Sequence, residues 1–214
     1  MRRITFQTGS YGVNCSILSR EGDGEAWIVD PGAEGEKIAA FLENAGLRPE
    51  AILLTHAHFD HIGAIPFLQS KFPSLPVYVN DADRAMFGHP FNANPPDYPQ
   101  TGEPADLRPL EDGGEFAGGR IKTVFTPGHS PGSVCYALDG GETLLTGDTL
   151  FAGSAGRTDL PGGSMKQLME SLEVLCRFPD SATVVPGHGP ETSIGAEKKS
   201  NPFLWDANKE EVRK

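Results

Sequence analysis

The chain has 214 residues, 38% hydrophobic and 22% charged, the composition of a globular protein long enough to bury a sizeable core. Its formal net charge of −11 argues against nucleic acid or an anionic membrane as partner, since either favours a basic face. No apolar run is long enough for a transmembrane helix, no signal peptide is visible, and Cys15, Cys135 and Cys176 are too scattered for a disulfide framework. These features point to a cytoplasmic protein with its cysteines as small buried hydrophobes, and the length fits one domain over residues 1–214.

In chain order, alternation at 3–8 predicts a strand and the glycines of 9–12 a turn. Residues 14–19 and 25–29 predict a strand pair of antiparallel style across a turn at 21–24. Asp30-Pro31-Gly32 stops the third strand, and a helix follows over about 34–44 with Gly46 as its stop. Asp30 has two readings, a cap for that helix or a support behind functional groups at the strand end. A strand at 51–55 runs into Thr55-His56-Ala57-His58-Phe59-Asp60-His61, and a helix then extends to about Lys71, ended by Pro73. Residues 77–79 predict a short strand and 81–87 a short helix. The Pro-rich stretch 88–109 shows no hydrophobic period, so it reads as a long loop, either a lid or pocket wall or a tolerated insertion. His89 within it reads as solvent-exposed. Strands are predicted again at 121–125, 133–138 and 143–146. A helix over 164–177 has Ser164 as its cap and Met165, Leu168, Met169, Leu172 and Leu175 at helical spacing. A strand at 182–185 and a helix at 194–199 precede a polar C-terminus.

The chemistry concentrates at 56–61, where three of the chain's six histidines sit with Asp60. One histidine alone would read as a solvated side chain, and Asp60 alone as a helix cap. Together they read as ligands, because imidazole and carboxylate are the usual protein donors to zinc and related ions. Four apolar runs end in such a residue: 53–55 before His56, 123–128 before His129, 144–147 before Asp148, and 184–187 before His188. If these strands share a sheet, their ends converge on one edge. His56, His58, Asp60, His61, His129, Asp148 and His188 are too many ligands for one tetrahedral zinc. They suit two neighbouring divalent ions with a bridging carboxylate; zinc is expected, with iron and manganese as alternatives. Such a pair lowers the pKa of bound water to about 7 and so supplies a nucleophile at neutral pH.

The set His56-x-His58-x-Asp60-His61, His129, Asp148 and His188 resembles the metallo-β-lactamase superfamily, and with the flanking strands the resemblance covers nearly the whole chain. It implies an α/β chain of α+β type, an αββα sandwich with the metals at one edge of the two sheets. Thr126-Pro127-Gly128-His129-Ser130-Pro131-Gly132-Ser133 is similar to a segment of the glyoxalase II group, the hydroxyacylglutathione hydrolases. So is Thr146-Gly147-Asp148-Thr149-Leu150-Phe151, with Gly156-Arg157-Thr158-Asp159 after it. The resemblance implies that His56, His58 and His129 hold one ion, that Asp60, His61 and His188 hold the other, and that Asp148 spans both. Asp60 would also orient a hydroxide held between the metals. The implied reaction is hydrolysis of S-D-lactoylglutathione or a related hydroxyacyl-glutathione, as in methylglyoxal detoxification, with thiolate leaving. The stretch after His188 is too short for the helical C-terminal domain of two-domain members. Residues 186–192 and 197–204 are similar to single-domain members, and a monomer or homodimer is expected.

Arg157 and Lys198 are candidates to meet substrate carboxylates. Their alternatives are pairing with an acid such as Asp159, and solvation on a helix. Phe151 either walls the pocket or fills core. The first rival activity is a mono-iron persulfide dioxygenase, which uses positions matching His56, His129 and Asp148. The Pro186-Gly187-His188-Gly189 segment is closer to the two-metal hydrolases. A β-lactamase fits less well, because Asp148 stands where such enzymes more often have cysteine. A metal-binding module without catalysis is a further alternative.

Overall fold

A computed structural model describes residues 1–92, 98 and 100–204. The chain divides into two compact units, Met1–Leu110 and Glu111–Lys214.

In the first unit, β1 (Arg2–Thr8), β2 (Val13–Ser19) and β3 (Glu25–Val29) pair antiparallel in succession, where alternation predicts them. Helix α1 (Gly35–Asn44) buries Ile38, Ala39 and Leu42 on one face. Its cap position is Glu34, held in the left-handed region without a side-chain cap bond. The capping reading of Asp30 is thereby corrected. β4 (Arg48–Leu53) begins and ends earlier than expected, which leaves Thr55 beyond the strand.

The single helix expected after the histidine cluster is two, α2 (Phe59–Ile62) and α3 (Ile65–Lys71). Pro66 explains the break. In the first turn of α3 its missing N–H is not needed, whereas in a continuous helix its ring would clash with the Ile62 carbonyl. His58 occupies the cap position of α2, so Asp60 is not a cap. β5 (Val77–Val79) is followed by two 3₁₀ turns, Asp81–Met86 and Pro90–Asn92. β6 (Leu107–Pro109) lies inside the stretch read as loop; three residues are too few to carry a period. β4, β5 and β6 add parallel, giving the sheet order β1-β2-β3-β4-β5-β6. Helices α1 and α3 pack together, and Ile28, Ile38, Leu42, Ile52, Ile65 and Leu68 share one core. Each such side chain contributes about 1.5–3 kcal/mol by leaving water.

In the second unit, β7 (Glu115–Phe116), β8 (Ile121–Phe125), β9 (Val134–Leu138) and β10 (Thr143–Gly147) pair antiparallel in turn. β11 (Leu150–Phe151) and β12 (Ser154–Ala155) form a separate hairpin. Helix α4 (Met165–Leu175) is capped by Ser164, which accepts from the Gln167 N–H, and buries Leu168, Leu172 and Leu175. Met165, expected on that apolar stripe, is exposed. β13 (Thr183–Pro186) is parallel to β10, and β14 (Thr192–Ser193) antiparallel to β13. Helix α5 (Ile194–Ser200) follows, capped by Ser193. The sheet order is β14-β13-β10-β9-β8-β7.

The four ligand-bearing strands do not share one sheet: β4 is in the first unit, and β8, β10 and β13 are in the second. β8 and β10 flank the antiparallel β9 and β13 is parallel to β10, so three of the four ends do point to one edge. All three cysteines are thiols outside any disulfide; Cys15 and Cys135 are fully buried, whereas Cys176, expected to be buried too, is partly exposed. Burial, and then the charge of Asp30, push the Cys15 thiol above its ordinary range. Among the described residues no helix is long and apolar enough to cross a membrane.

Candidate metal centre

In the first unit β3 and β4 are parallel neighbours, so Asp30 and Thr55 emerge side by side beyond their ends. The Thr55 N–H donates to Asp30 Oδ1 at 2.8 Å and the Thr55 hydroxyl to Oδ2 at 2.7 Å. His61 Nδ1 lies 3.0 Å from the same Oδ2, and His56 Nδ1 lies 3.0 Å from Thr55 Oγ1. Proton positions follow from what each group can do. A carboxylate only accepts, so His61 Nδ1 carries its proton. The one hydroxyl proton of Thr55 is given to Asp30, so Thr55 accepts from His56 Nδ1–H. Both rings therefore turn a lone pair outward at Nε2, the state a metal ligand needs. This settles the role of Asp30: one buried carboxylate sets the tautomer of two candidate ligands.

The turn that carries Asp30 passes close beneath α2. A Cβ on Gly32 would lie 1.9 Å from the Asp60 carbonyl oxygen, so this position admits only glycine. The peptide of Ala57, between His56 and His58, is gripped from both sides. Its N–H donates to Asp83 Oδ2 at 3.1 Å, and its carbonyl accepts from Asn92 Nδ2 at 2.8 Å. Asn92 also donates to the Met86 carbonyl at 2.9 Å. Neither Asp83 nor Asn92 stands out in the sequence. Asp83 reads as one polar residue of a short helix, and Asn92 lies in the Pro-rich stretch, part of which thus supports the cluster. His56, His58, Asp60 and His61 are all buried. The His56 ring centre is 4.7 Å from that of His58 and 4.1 Å from that of His61. Asp60 Oδ2 lies 3.9 Å from His61 Nε2. His89 is exposed, as expected.

In the second unit Asp148 follows β10 and His188 follows β13, again parallel neighbours, while His129 follows β8. His129 Nε2 and His188 Nε2 lie 3.5 and 3.6 Å from Asp148 Oδ2. These separations are long for hydrogen bonds. They suit donors to a common ion, since two atoms bound at about 2.1 Å to a tetrahedral metal are about 3.4 Å apart. His129 Nδ1 is 2.8 Å from the Arg157 carbonyl, which can only accept, so its Nε2 too carries the lone pair. Gly156 lets the chain pass against Asp148: a Cβ there would lie 1.8 Å from the Asp148 carbonyl oxygen.

The three residues considered for substrate contact lie in this unit. The Arg157 guanidinium makes a paired contact with Asp159, two bonds of 2.7 Å, and holds that carboxyl down at about 2. Lys198 donates to Asp180 at 2.7 Å. The Phe151 ring is half-buried, with its centre 6.3 Å from that of His188. In both units the donors are imidazoles and carboxylates, and His56, His61 and His129 have their protons held on the far nitrogen. This set fits a borderline divalent ion such as zinc or iron.

Comparison with known proteins agrees with the geometry. The model of the metallo-beta-lactamase superfamily matches residues 8–188. A probable metallo-hydrolase of Bacillus subtilis is 43% identical over 191 residues, covering 85% of this chain and 88% of that one. A hydroxyacylglutathione hydrolase of Haemophilus influenzae is 34% identical over 196 residues, covering 89% and 92%. Among solved structures, TTHA1623 in a di-iron-bound form has TM-score 0.85 and 39% identity over 94% of this chain and 100% of that chain. The B3 metallo-beta-lactamase BLEG-1 has TM-score 0.86 and 37% identity over 95% and 99%.

Proposed function

The chain belongs to the metallo-beta-lactamase superfamily, with its mixed α/β fold, and from that premise we propose that this metallo-hydrolase cleaves thioesters. The substrate is S-D-lactoylglutathione or a related hydroxyacyl-glutathione. The observation that carries a metal-dependent reaction is the Asp30 network, which leaves His56 and His61 in the ligand tautomer. The thioester is supported by the likeness to a hydroxyacylglutathione hydrolase over most of both chains.

His56, His58 and His129 would hold one divalent ion, Asp60, His61 and His188 a second, and Asp148 would span both. The nearly equal distances from Asp148 Oδ2 to His129 and His188 support that last role. The ions would supply Lewis acidity and a water of lowered pKa. Zinc is the expected metal, and the di-iron form of a relative supports iron as the alternative. Asp60 accepts a hydrogen bond from the attacking water and orients it. Thiolate is a good leaving group, so the site needs no strong acid. Phe151 walls the pocket beside His188. Arg157 and Lys198 would contact a substrate carboxylate by exchanging it for Asp159 and Asp180. Residues 1–214 act as one hydrolase domain, a reading supported by the family match running through both units. Three cysteines held as thiols support a cytoplasmic setting.

The test is a metal count with parallel assays of S-D-lactoylglutathione hydrolysis, oxygen uptake with glutathione persulfide, and β-lactam cleavage. Two metals with thioester cleavage, lost in His58→Ala, support the proposal. One iron with oxygen uptake and little hydrolysis overturns it. The second reading, β-lactam hydrolysis, is favoured by the likeness to BLEG-1, and preferential β-lactam cleavage would establish it.

A further inference from the structure

Glu197 is 3% exposed and Asn201 0%, although both belong to a polar stretch that includes Lys198 and Lys199. A carboxylate taken out of water is costly unless its oxygens are satisfied. Here Glu197 Oε2 accepts from the Gly153 N–H at 2.8 Å and from Asn201 Nδ2 at 2.7 Å, and Oε1 accepts the Thr192 hydroxyl at 2.6 Å. Asn201 Nδ2 also donates to the carbonyls of Ser154 at 3.0 Å and Phe151 at 3.4 Å. Its Oδ1 accepts from the Phe203 N–H at 3.0 Å.

Three of these six bonds reach the β11–β12 hairpin, and the other three hold Glu197 and Asn201, the groups that make them. That hairpin pairs only Leu150 with Ala155 and Phe151 with Ser154. A ladder so short is marginal without support, so its orientation depends on what grips it. It carries Phe151, whose ring faces His188. His188 is also the most open candidate ligand of its unit, with 27% of its side chain exposed against 12% for Asp148 and 4% for His129. The ligand of this unit most open to an incoming molecule is thus the one beside which Phe151 stands.

We infer that Glu197 and Asn201 are positioning residues, a latch that holds the β11–β12 hairpin with Phe151 against His188 and so sets how tightly the thioester is bound. The substrate part rests on the hydrolase reading above. The latch itself is read without substrate, by hydrogen exchange at the Gly153 amide.

In Glu197→Ala, loss of one buried charge-assisted bond should speed Gly153 exchange about ten-fold or more. KM should rise about ten-fold, with a smaller change in kcat, because binding rather than chemistry is disturbed. Metal content should not change. Glu197→Gln should restore both readouts: its amide oxygen accepts from Gly153 and Asn201, and its NH₂ donates to the Thr192 hydroxyl. Phe151→Ala should raise KM as Glu197→Ala does, and the double variant should be no worse than Phe151→Ala alone. A general loss of stability would instead lower metal content and add to the Phe151→Ala effect. Should Glu197→Ala not fold, Asn201→Ala is the milder test, since it keeps the Glu197 bonds to Gly153 and Thr192. Unchanged Gly153 exchange in Glu197→Ala, or an unchanged KM in Asn201→Ala, overturns the latch, and additive KM effects overturn its role in binding. Wild-type protein with no turnover on any thioester would sink the hydrolase reading, while Gly153 exchange would still decide the latch.

Discussion

Asp30 accepts from Thr55 twice and from His61 once, and those bonds decide which nitrogen of two histidines is available to a metal. Asp30→Asn keeps the size but puts a donor where an acceptor is needed, facing the Thr55 N–H if the amide nitrogen takes the Oδ1 place, or both the Thr55 hydroxyl and His61 Nδ1 if it takes the Oδ2 place. Metal affinity should fall about 10–100-fold, as for other groups that orient a ligand histidine. Competition with a chelator of known affinity would measure it, and an unchanged affinity would show that the tautomers are set elsewhere. Gly156→Ala should act more bluntly, since the added methyl meets the Asp148 backbone. Metal content should fall although no ligand is altered. At Arg157 the pair with Asp159 gives its own readout. The Asp159 carboxyl is held at about 2 first by the Arg157 hydrogen bonds, against an ordinary value of about 3.9. A depressed carboxyl stabilises the fold above its unfolded pKa and loses that contribution as pH falls through about 2; for so exposed a pair the contribution is small and screened by salt. Arg157→Ala should return Asp159 to the usual carboxylate range in an NMR titration. A bound substrate carboxylate that displaces Asp159 should move it the same way.

At the scale of elements, two short 3₁₀ turns brace the peptide between His56 and His58. Asn92→Ala leaves the carbonyls of Ala57 and Met86 without their Asn92 donor, at a cost of about 1–3 kcal/mol. Urea denaturation should show a lower midpoint with an unchanged slope, together with weaker metal binding. This brace also marks where sequence reading stops. α4, β1 to β3 and the ligand-bearing strand ends are legible because their apolar residues recur at a period or end at Gly, Pro or His. β6, β7, β11, β12 and β14 have two or three residues each and carry no period. The metal ligands are legible as residue types at strand ends. Their supports are not: Asp30 could as well have capped α1, Asp83 and Asn92 resemble solvated polar residues, and Glu197 sits beside two lysines. Burial and a bonding partner far away in the chain distinguish these residues, and neither is written in local pattern. Whether the four ligand-bearing strands share a sheet stays open in the sequence for a related reason, because four similar strand ends do not say which strands are neighbours.

For the whole molecule, the proposed ions couple chemistry to stability. The chain carries a formal charge of −11, and its candidate ligands add buried carboxylates and lone pairs that face one another within each unit. A cation bound there relieves that repulsion in the folded state, and the unfolded chain offers no preassembled site. Linkage then makes stability depend on free metal: about 2.7 kcal/mol is gained at a hundred times the dissociation constant. For a chain of this length each kcal/mol shifts Tm by about 2–4 °C. Chelator-treated protein should therefore melt roughly 5–10 °C below metal-replete protein, and Tm should climb with the logarithm of free zinc or iron. Asp30→Asn should shift that climb to higher metal concentration without abolishing it, since it weakens ligand orientation and leaves every ligand in place. His58→Ala should flatten part of it, since a donor is gone. A Tm indifferent to chelator and to added metal would mean that the seven residues do not hold ions in the folded protein.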